Sequence, residues 1–217
     1  MGYHPYWSAQ MTFDEMLKEL PLVAILRGVK PDEVETIGEV LVEAGFRCIE
    51  VPLNSTEPLA SIARLRRRFD GRAIVGAGTV LTVKAVDQVA DAGGEIVVSP
   101  NTNVEVIARG KARGMIAFPA FFTPTEAFAA LDAGADALKL FPAEAASPKV
   151  LKAIRAVLPP ATPVFPVGGI DPDTMAPWRE AGASGFGLGG ALYTPGRTPA
   201  EVEIRARRFV QAWRASS

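Results

Sequence analysis

The chain has one cysteine, Cys48, and one histidine, His4, in 217 residues. A single cysteine excludes an internal disulfide and points to a cytoplasmic setting. A single histidine, placed in the N-terminal tail, excludes a His-based triad and a multi-histidine metal site within one chain. Charge of one sign is also missing. The formal net charge is −1, so no general attraction to nucleic acid or to an acidic membrane is expected. No apolar run reaches the length of a bilayer span. The opening MGYHPYWSAQ has neither the basic nor the apolar region of a signal peptide. Tyr6 stands where a myristoylation signal has Ser or Thr. What is present is ordinary for a soluble globular domain: 48% hydrophobic and 22% charged residues, enough for a sizeable core.

Residues 1–11 read as a tail. Thr12 is placed to cap a short helix over 12–20, with Glu15 three residues on completing a capping box. Apolar strands then alternate with helical patterns. The strands are LVAIL (22–26), FRCIEVP (46–52), AIVGAGTV (73–80), EIVVSP (95–100), MIAFPA (115–120), ADALKLFP (135–142), PVFPVGG (163–169) and GFGLG (185–189). Helices are expected over 31–44, 57–69, 83–92, 104–112, 124–133, 148–158, 172–181 and 199–215. Near-continuous apolar strands imply a sheet buried on both faces. Eight strand–helix units point to a closed (β/α)8 TIM barrel, with the extra N-terminal helix over its floor. A doubly wound open sheet is the alternative. No linker marks a second domain, so residues 1–217 read as one domain. No helix shows an isolated apolar face that demands a partner.

In such a barrel chemistry sits at the C-terminal strand ends. Lys139 lies there between Leu138 and Leu140. Burial disfavours a lysine's charge, and a partly neutral amine is the nucleophile that Schiff-base chemistry needs. The bland reading is a lysine that snorkels to water. Glu50 lies among Ile49, Val51 and Leu53, where an isolated carboxyl is raised toward neutrality and suits a proton shuttle. Its bland reading is a structural ion pair, with Lys139 as one partner. Two opposite ionisable groups late in apolar strands weigh more together than apart. Glycine turns at Gly168-Gly169 and at Gly187, Gly189 and Gly190 follow the last two strands, the usual phosphate-binding region of this fold; tight turns alone are the other reading. The run from Gly185 to Gly190 fits GxGxxG, but no further strand remains to build a dinucleotide site. Arg64, Arg66, Arg67 and Arg68 read as a solvated helix face. Cys48 reads as an inert core thiol. Asp132, Asp136, Asp171 and Asp173 read as caps rather than a Mg²⁺ site.

Together ILRG (25–28), IEVPLN (49–54), VGAGTV (75–80), VSPN (98–101), ALKLFPA (137–143), PVGGI (166–170) and GLGGALY (187–193) resemble the 2-keto-3-deoxy-6-phosphogluconate/galactonate aldolases. The likeness runs from about Pro21 to the C-terminus with every motif in order. Pro52-Leu53-Asn54 places it nearer the galactonate branch, since the gluconate branch often has arginine where Asn54 stands.

The resemblance implies a class I aldolase, usually a homotrimer, releasing pyruvate from a phosphosugar acid with no cofactor or metal. By position, Lys139 is then the Schiff-base lysine and Glu50 the general acid/base. Arg27 and Thr79 hold the keto-acid carboxylate, and Gly168, Gly189 and Gly190 supply phosphate-binding amides. Two departures stand out. The family often has serine at Gly190, and it usually has Pro-Gly where this chain has Pro119-Ala120 followed by Phe121-Phe122. Rival readings are the gluconate epimer or 4-hydroxy-2-oxoglutarate as substrate, a phosphate-binding barrel isomerase, and a non-catalytic sugar-phosphate binder.

Overall fold

The computed structural model describes residues 11–215; His4 and nearly all of the expected tail lie outside them. Helix α1 (Phe13–Glu19) opens the fold. Thr12 caps it, and the reciprocal bonds to Glu15 complete the capping box, so two amides that the first turn cannot satisfy internally find partners. Strands and helices then alternate: β1 (Leu22–Ile25), α2 (Val34–Ala44), β2 (Cys48–Pro52), α3 (Pro58–Arg68), β3 (Ile74–Gly78), α4 (Val83–Asp91), β4 (Ile96–Val98), α5 (Val104–Ala112) and β5 (Ile116–Phe118). There follow β6 (Ala120–Phe121), α6 (Pro124–Asp132), β7 (Leu138–Leu140), α7 (Pro148–Arg155), β8 (Val164–Pro166), α8 (Met175–Glu180), β9 (Phe186–Leu188) and α9 (Pro199–Ala215).

All the strand pairs are parallel, and β1 pairs with both β2 and β9. That first-to-last pairing excludes the doubly wound sheet, whose outer strands stay apart. Two short seams complete the circle. Val167 bridges Gly187 between β8 and β9. The amides of Asp136 and Lys139 donate to the carbonyls of Ala117 in β5 and of Pro119 at the β5–β6 break. The fifth stave, expected as one strand, is therefore two, because Pro119 has no N–H to offer the ladder. The barrel has eight staves, as its sequence pattern predicts.

Two expected helix starts shift by more than one residue. The helix expected from residue 31 starts at Val34, after a turn in which Glu33 accepts the Lys30 amide. The helix expected over 172–181 starts as a 3₁₀ turn, Pro172–Thr174, before α8.

Strand side chains alternate between two cores. Leu22, Ala24, Ile49, Val51, Val75, Ala77, Leu138 and Leu140 face the helices and join the larger cluster. Val23, Cys48, Ile74, Ile96, Phe118 and Phe165 fill the barrel interior, where the two phenyl rings meet edge to face at 5.0 Å. Met16 of α1 is fully buried against that interior set, with Phe13 and Leu17 beside it. The N-terminal helix thus plugs one end of the barrel and leaves the other end to chemistry. Removing the plug leaves a cavity that rigid strands cannot close. Met16→Ala should lower the unfolding free energy by about 2–5 kcal/mol in a urea titration. A loss below about 1 kcal/mol would mean that α1 only rests on the barrel.

Candidate active site

At the open end, a cavity of about 720 Å³ lies over the C-terminal ends of β1, β7, β8 and β9. Arg27, Lys139, Gly168, Gly189 and Gly190, five of the seven residues to which the resemblance gives a role, line it. Glu50 and Thr79 do not. Strand polarity accounts for the gathering: parallel staves all deliver their last residues to one rim.

Lys139 is 6% exposed and lines the cavity wall. Snorkelling is therefore ruled out, since its side chain is spent inside the barrel mouth. Its Nζ lies 4.8 Å from the centroid of the Phe141 ring, a contact that sets the amine against an aromatic face. Burial lowers its pKa from the ordinary lysine value. The Glu50 carboxylate opposes that shift, and Arg27 adds to it.

Glu50 is 2% exposed and lies in register between Ile25 and Gly76. Burial raises its pKa, and the positive charges of Lys139 and Arg27 offset only part of that. Among the described residues it is in no ion pair, so the structural-bridge reading fails. Its Oε2 is buried with no hydrogen-bond partner among the described residues. Proteins rarely leave such an atom orphaned outside a functional site. Gly78 makes room for it: a Cβ there would fall 1.3 Å from Glu50 Oε2.

Arg27 is exposed at the rim, where its Nη1 donates to Asn54 Oδ1 at 2.6 Å. In the sequence Asn54 marked a branch; in the fold it bonds a guanidinium that lines the cavity. Thr79 follows Gly78 with φ 58°. A β-branched residue in the left-handed region is strained, and such strain gathers at functional sites.

The two glycine turns differ in kind. Gly168 and Gly169 have φ 105° and 65°, and a Cβ on Gly168 would meet Glu144 Oε2 at 2.1 Å. Both need glycine for the protein's own sake. Gly189 and Gly190 do not, because a Cβ on either would meet nothing within 4 Å. Bare backbone facing a cavity lets a ligand approach the amides closely. Beside them, Tyr193 is buried and its hydroxyl donates to Glu33 Oε1 at 2.9 Å. Burial first, then Glu33, raises its pKa. Sequence reading missed Tyr193 and Phe141 as site residues. The available signal was that a buried tyrosine needs a hydroxyl partner, but no local spacing links residues 33 and 193. Among the described residues, no three His, Cys, Asp or Glu side chains gather as a metal-binding group.

The family model described as "Aldolase: KDPG and KHG aldolase" matches residues 13–200. The 2-dehydro-3-deoxy-6-phosphogalactonate aldolase of Escherichia coli (strain K12) is 44% identical over 196 residues, covering 90% of this chain and 96% of that one. A solved structure, "Native KDPGal structure", is 42% identical with TM-score 0.91, covering 95% of this chain and 98% of the other. A second solved chain, from a cube-shaped cage "designed by fusing symmetric oligomeric domains", is 44% identical with TM-score 0.90, covering 91% of this chain and 73% of that one.

The Glu50–Gly78 contact can be tested alone. Gly78→Ala should cost about 1–3 kcal/mol of stability through overpacking and swing the Glu50 carboxylate out of its niche. Urea unfolding and a crystal structure of the variant check both. An unmoved carboxylate at unchanged stability would overturn the contact.

Proposed function

The chain belongs to the KDPG and KHG aldolase family, and from that premise we propose that it is a class I aldolase cleaving 2-dehydro-3-deoxy-6-phospho-D-galactonate to pyruvate and D-glyceraldehyde 3-phosphate. The observation that carries the reading is the buried amine of Lys139 on the cavity wall, with Glu50 and Arg27 close enough to bias its charge. A lysine held partly neutral is nucleophilic near neutral pH.

In this reading Arg27, held by Asn54, fixes the keto-acid carboxylate, and Thr79 supplies a second donor. The Lys139 amine attacks C2, and loss of water leaves an iminium ion. Glu50, directly or through water, takes the proton of the C4 hydroxyl. The C3–C4 bond breaks, and its electron pair flows into the iminium to give an enamine. Glyceraldehyde 3-phosphate leaves, its phosphate released from amides at Gly168, Gly189 and Gly190. The enamine takes a proton at C3, and water hydrolyses the iminium to free pyruvate and Lys139. The shuttle suits Glu50 because a carboxyl raised toward neutrality both accepts and returns a proton.

The reading takes residues 1–217 as one aldolase domain in a cytoplasmic setting. No helix among the described residues is long and apolar enough to cross a membrane. It also takes the enzyme as a homotrimer, which the family resemblance implies and which accords with a similar chain used as a symmetric oligomeric domain. No apolar helix face stood out in the sequence, yet the fold leaves Leu81, Val83, Val104, Phe122 and Phe128 exposed. Leu81, Val83, Val104 and Phe122 lie at or just before the starts of α4, α5 and α6, and Phe128 lies midway along α6. Exposed large apolar groups gathered on one side fit a second copy.

Borohydride with pyruvate should leave a mass adduct on Lys139, and an unmodified lysine with activity intact would sink the mechanism. In Glu50→Gln, turnover should fall by about 10²-fold or more while some adduct still forms. The carboxylate opposes the depression of the Lys139 pKa. Its loss should therefore move the acid limb of adduct formation to lower pH, and a shift to higher pH would break the pairing. A kcat/KM lower on the galactonate than on the gluconate epimer would overturn the substrate. By light scattering the wild type should have the mass of three chains and Phe128→Glu a smaller mass. A trimeric variant would remove Phe128 from the interface.

A further inference from the structure

Two arginines outside the cavity grip the glycine turn that borders it. From Gly189 to Tyr193 the chain makes one helical turn, in which the amides of Leu192 and Tyr193 both donate to the Gly189 carbonyl, at 2.8 and 2.9 Å. The next two carbonyls are taken from outside the turn. Arg197 Nη1 donates to the Gly190 carbonyl at 2.7 Å, and Arg205 Nη1 to that of Ala191 at 3.1 Å. Neither arginine lines the cavity. Arg205 belongs to α9, and Arg197 precedes Thr198, whose amide and hydroxyl are tied to Glu201. Both cations act on Glu201 electrostatically, which moderates their charge without occupying those two bonds.

In a planar trans peptide the C=O and N–H point in opposite directions. The Gly190 carbonyl shares its plane with the Ala191 amide, at the open start of the turn, where helical geometry leaves donors without internal partners. A guanidinium on that carbonyl does two things to that amide. It fixes the plane, so the N–H keeps its aim, and it polarises the unit, so the N–H donates more strongly. The help matters at Gly190 because a residue without Cβ has the most backbone freedom to lose, and nothing within 4 Å would restrain a Cβ there.

We propose that Arg197, backed by Arg205, is a positioning residue for anion recognition: it holds the Gly190–Ala191 peptide with its amide aimed at the substrate's phosphate. The inference rests on the reading above that this turn receives the phosphate, and adds the Ala191 amide to those of Gly189 and Gly190. The cavity then needs no basic side chain at that end, because the positive charge acts through the backbone from behind.

The experiment compares wild type, Arg197→Gln and Arg197→Lys with three readouts. These are the inhibition constant of inorganic phosphate, the KM and kcat for the 6-phosphorylated substrate, and the pyruvate concentration that half-saturates borohydride adduct formation on Lys139. Arg197→Gln should raise the phosphate constant and the KM together by about tenfold, the worth of one charge-assisted bond. The kcat and the pyruvate half-saturation should stay within about twofold. Arg197→Lys should recover most of the loss, since an ammonium offers one donor but not the planar fork. An unchanged phosphate constant in Arg197→Gln overturns the proposal. So does an equal loss in pyruvate saturation and kcat, which would mark a general disturbance of the fold. Absence of phosphate competition in the wild type is a different failure: it removes the anion site itself. If Arg197→Gln does not fold, Arg197→Lys decides, with a rise of about two- to threefold in the phosphate constant supporting the proposal and no rise overturning it.

Discussion

The structure turns on a carboxyl group held where it is costly to ionise. Glu50 is sealed in the barrel mouth with one oxygen unpartnered, and it fits only because Gly78 beside it has no side chain. A buried ionisable group shifts its pKa rather than carry an unpaired charge. Lys139 stands under the same constraint with the opposite sign. Burial pushes the two pKa values toward each other, and each group's charge counters the shift of the other. The proton inventory of the mouth therefore belongs to the pair, and Arg27 at the rim weights both members toward the deprotonated forms.

The two ends of the barrel divide the work. One end is plugged by Met16 and filled by apolar side chains and the Phe118–Phe165 ring pair. The other holds the buried charges, the strained Thr79 and the bare glycine amides. Parallel staves allow this division because every strand starts at one rim and finishes at the other. The well-packed floor stabilises a mouth that is poorly satisfied by its own residues.

Glycine serves two purposes at that mouth. At Gly168 and Gly169 the backbone is left-handed, and no other residue adopts that freely. At Gly189 and Gly190 neither conformation nor crowding requires glycine. In the proposed function the requirement there comes from a ligand, since bare backbone donors suit an anion. Behind the turn, Arg197 and Arg205 donate to the Gly190 and Ala191 carbonyls.

Much of this was legible in the linear sequence. Apolar strands alternating with capped helices pointed to eight parallel staves, because burial on both faces leaves a parallel sheet few other arrangements, while the β1–β9 pairing was needed to exclude an open sheet. Thr12 with Glu15, and Lys139 and Glu50 as charges in apolar strands, could be read locally, since each breaks or satisfies a rule within a few residues. Only the tertiary structure decided that Glu50 forms no ion pair among the described residues, that Asn54 bonds Arg27, that Tyr193 reaches Glu33, and that Arg197 and Arg205 bond the carbonyls of the Gly189–Tyr193 turn. It also broke the fifth stave at Pro119. These outcomes depend on where the folded chain sets each side chain: β1 beside β2 for Arg27 and Asn54, β9 beside β1 for Tyr193 and Glu33, and the return of α9 onto the preceding turn for Arg205. Local pattern specifies the period of each element and the face it buries. Which side chains then meet at the rim follows from strand register and barrel closure, and no spacing along the chain encodes either.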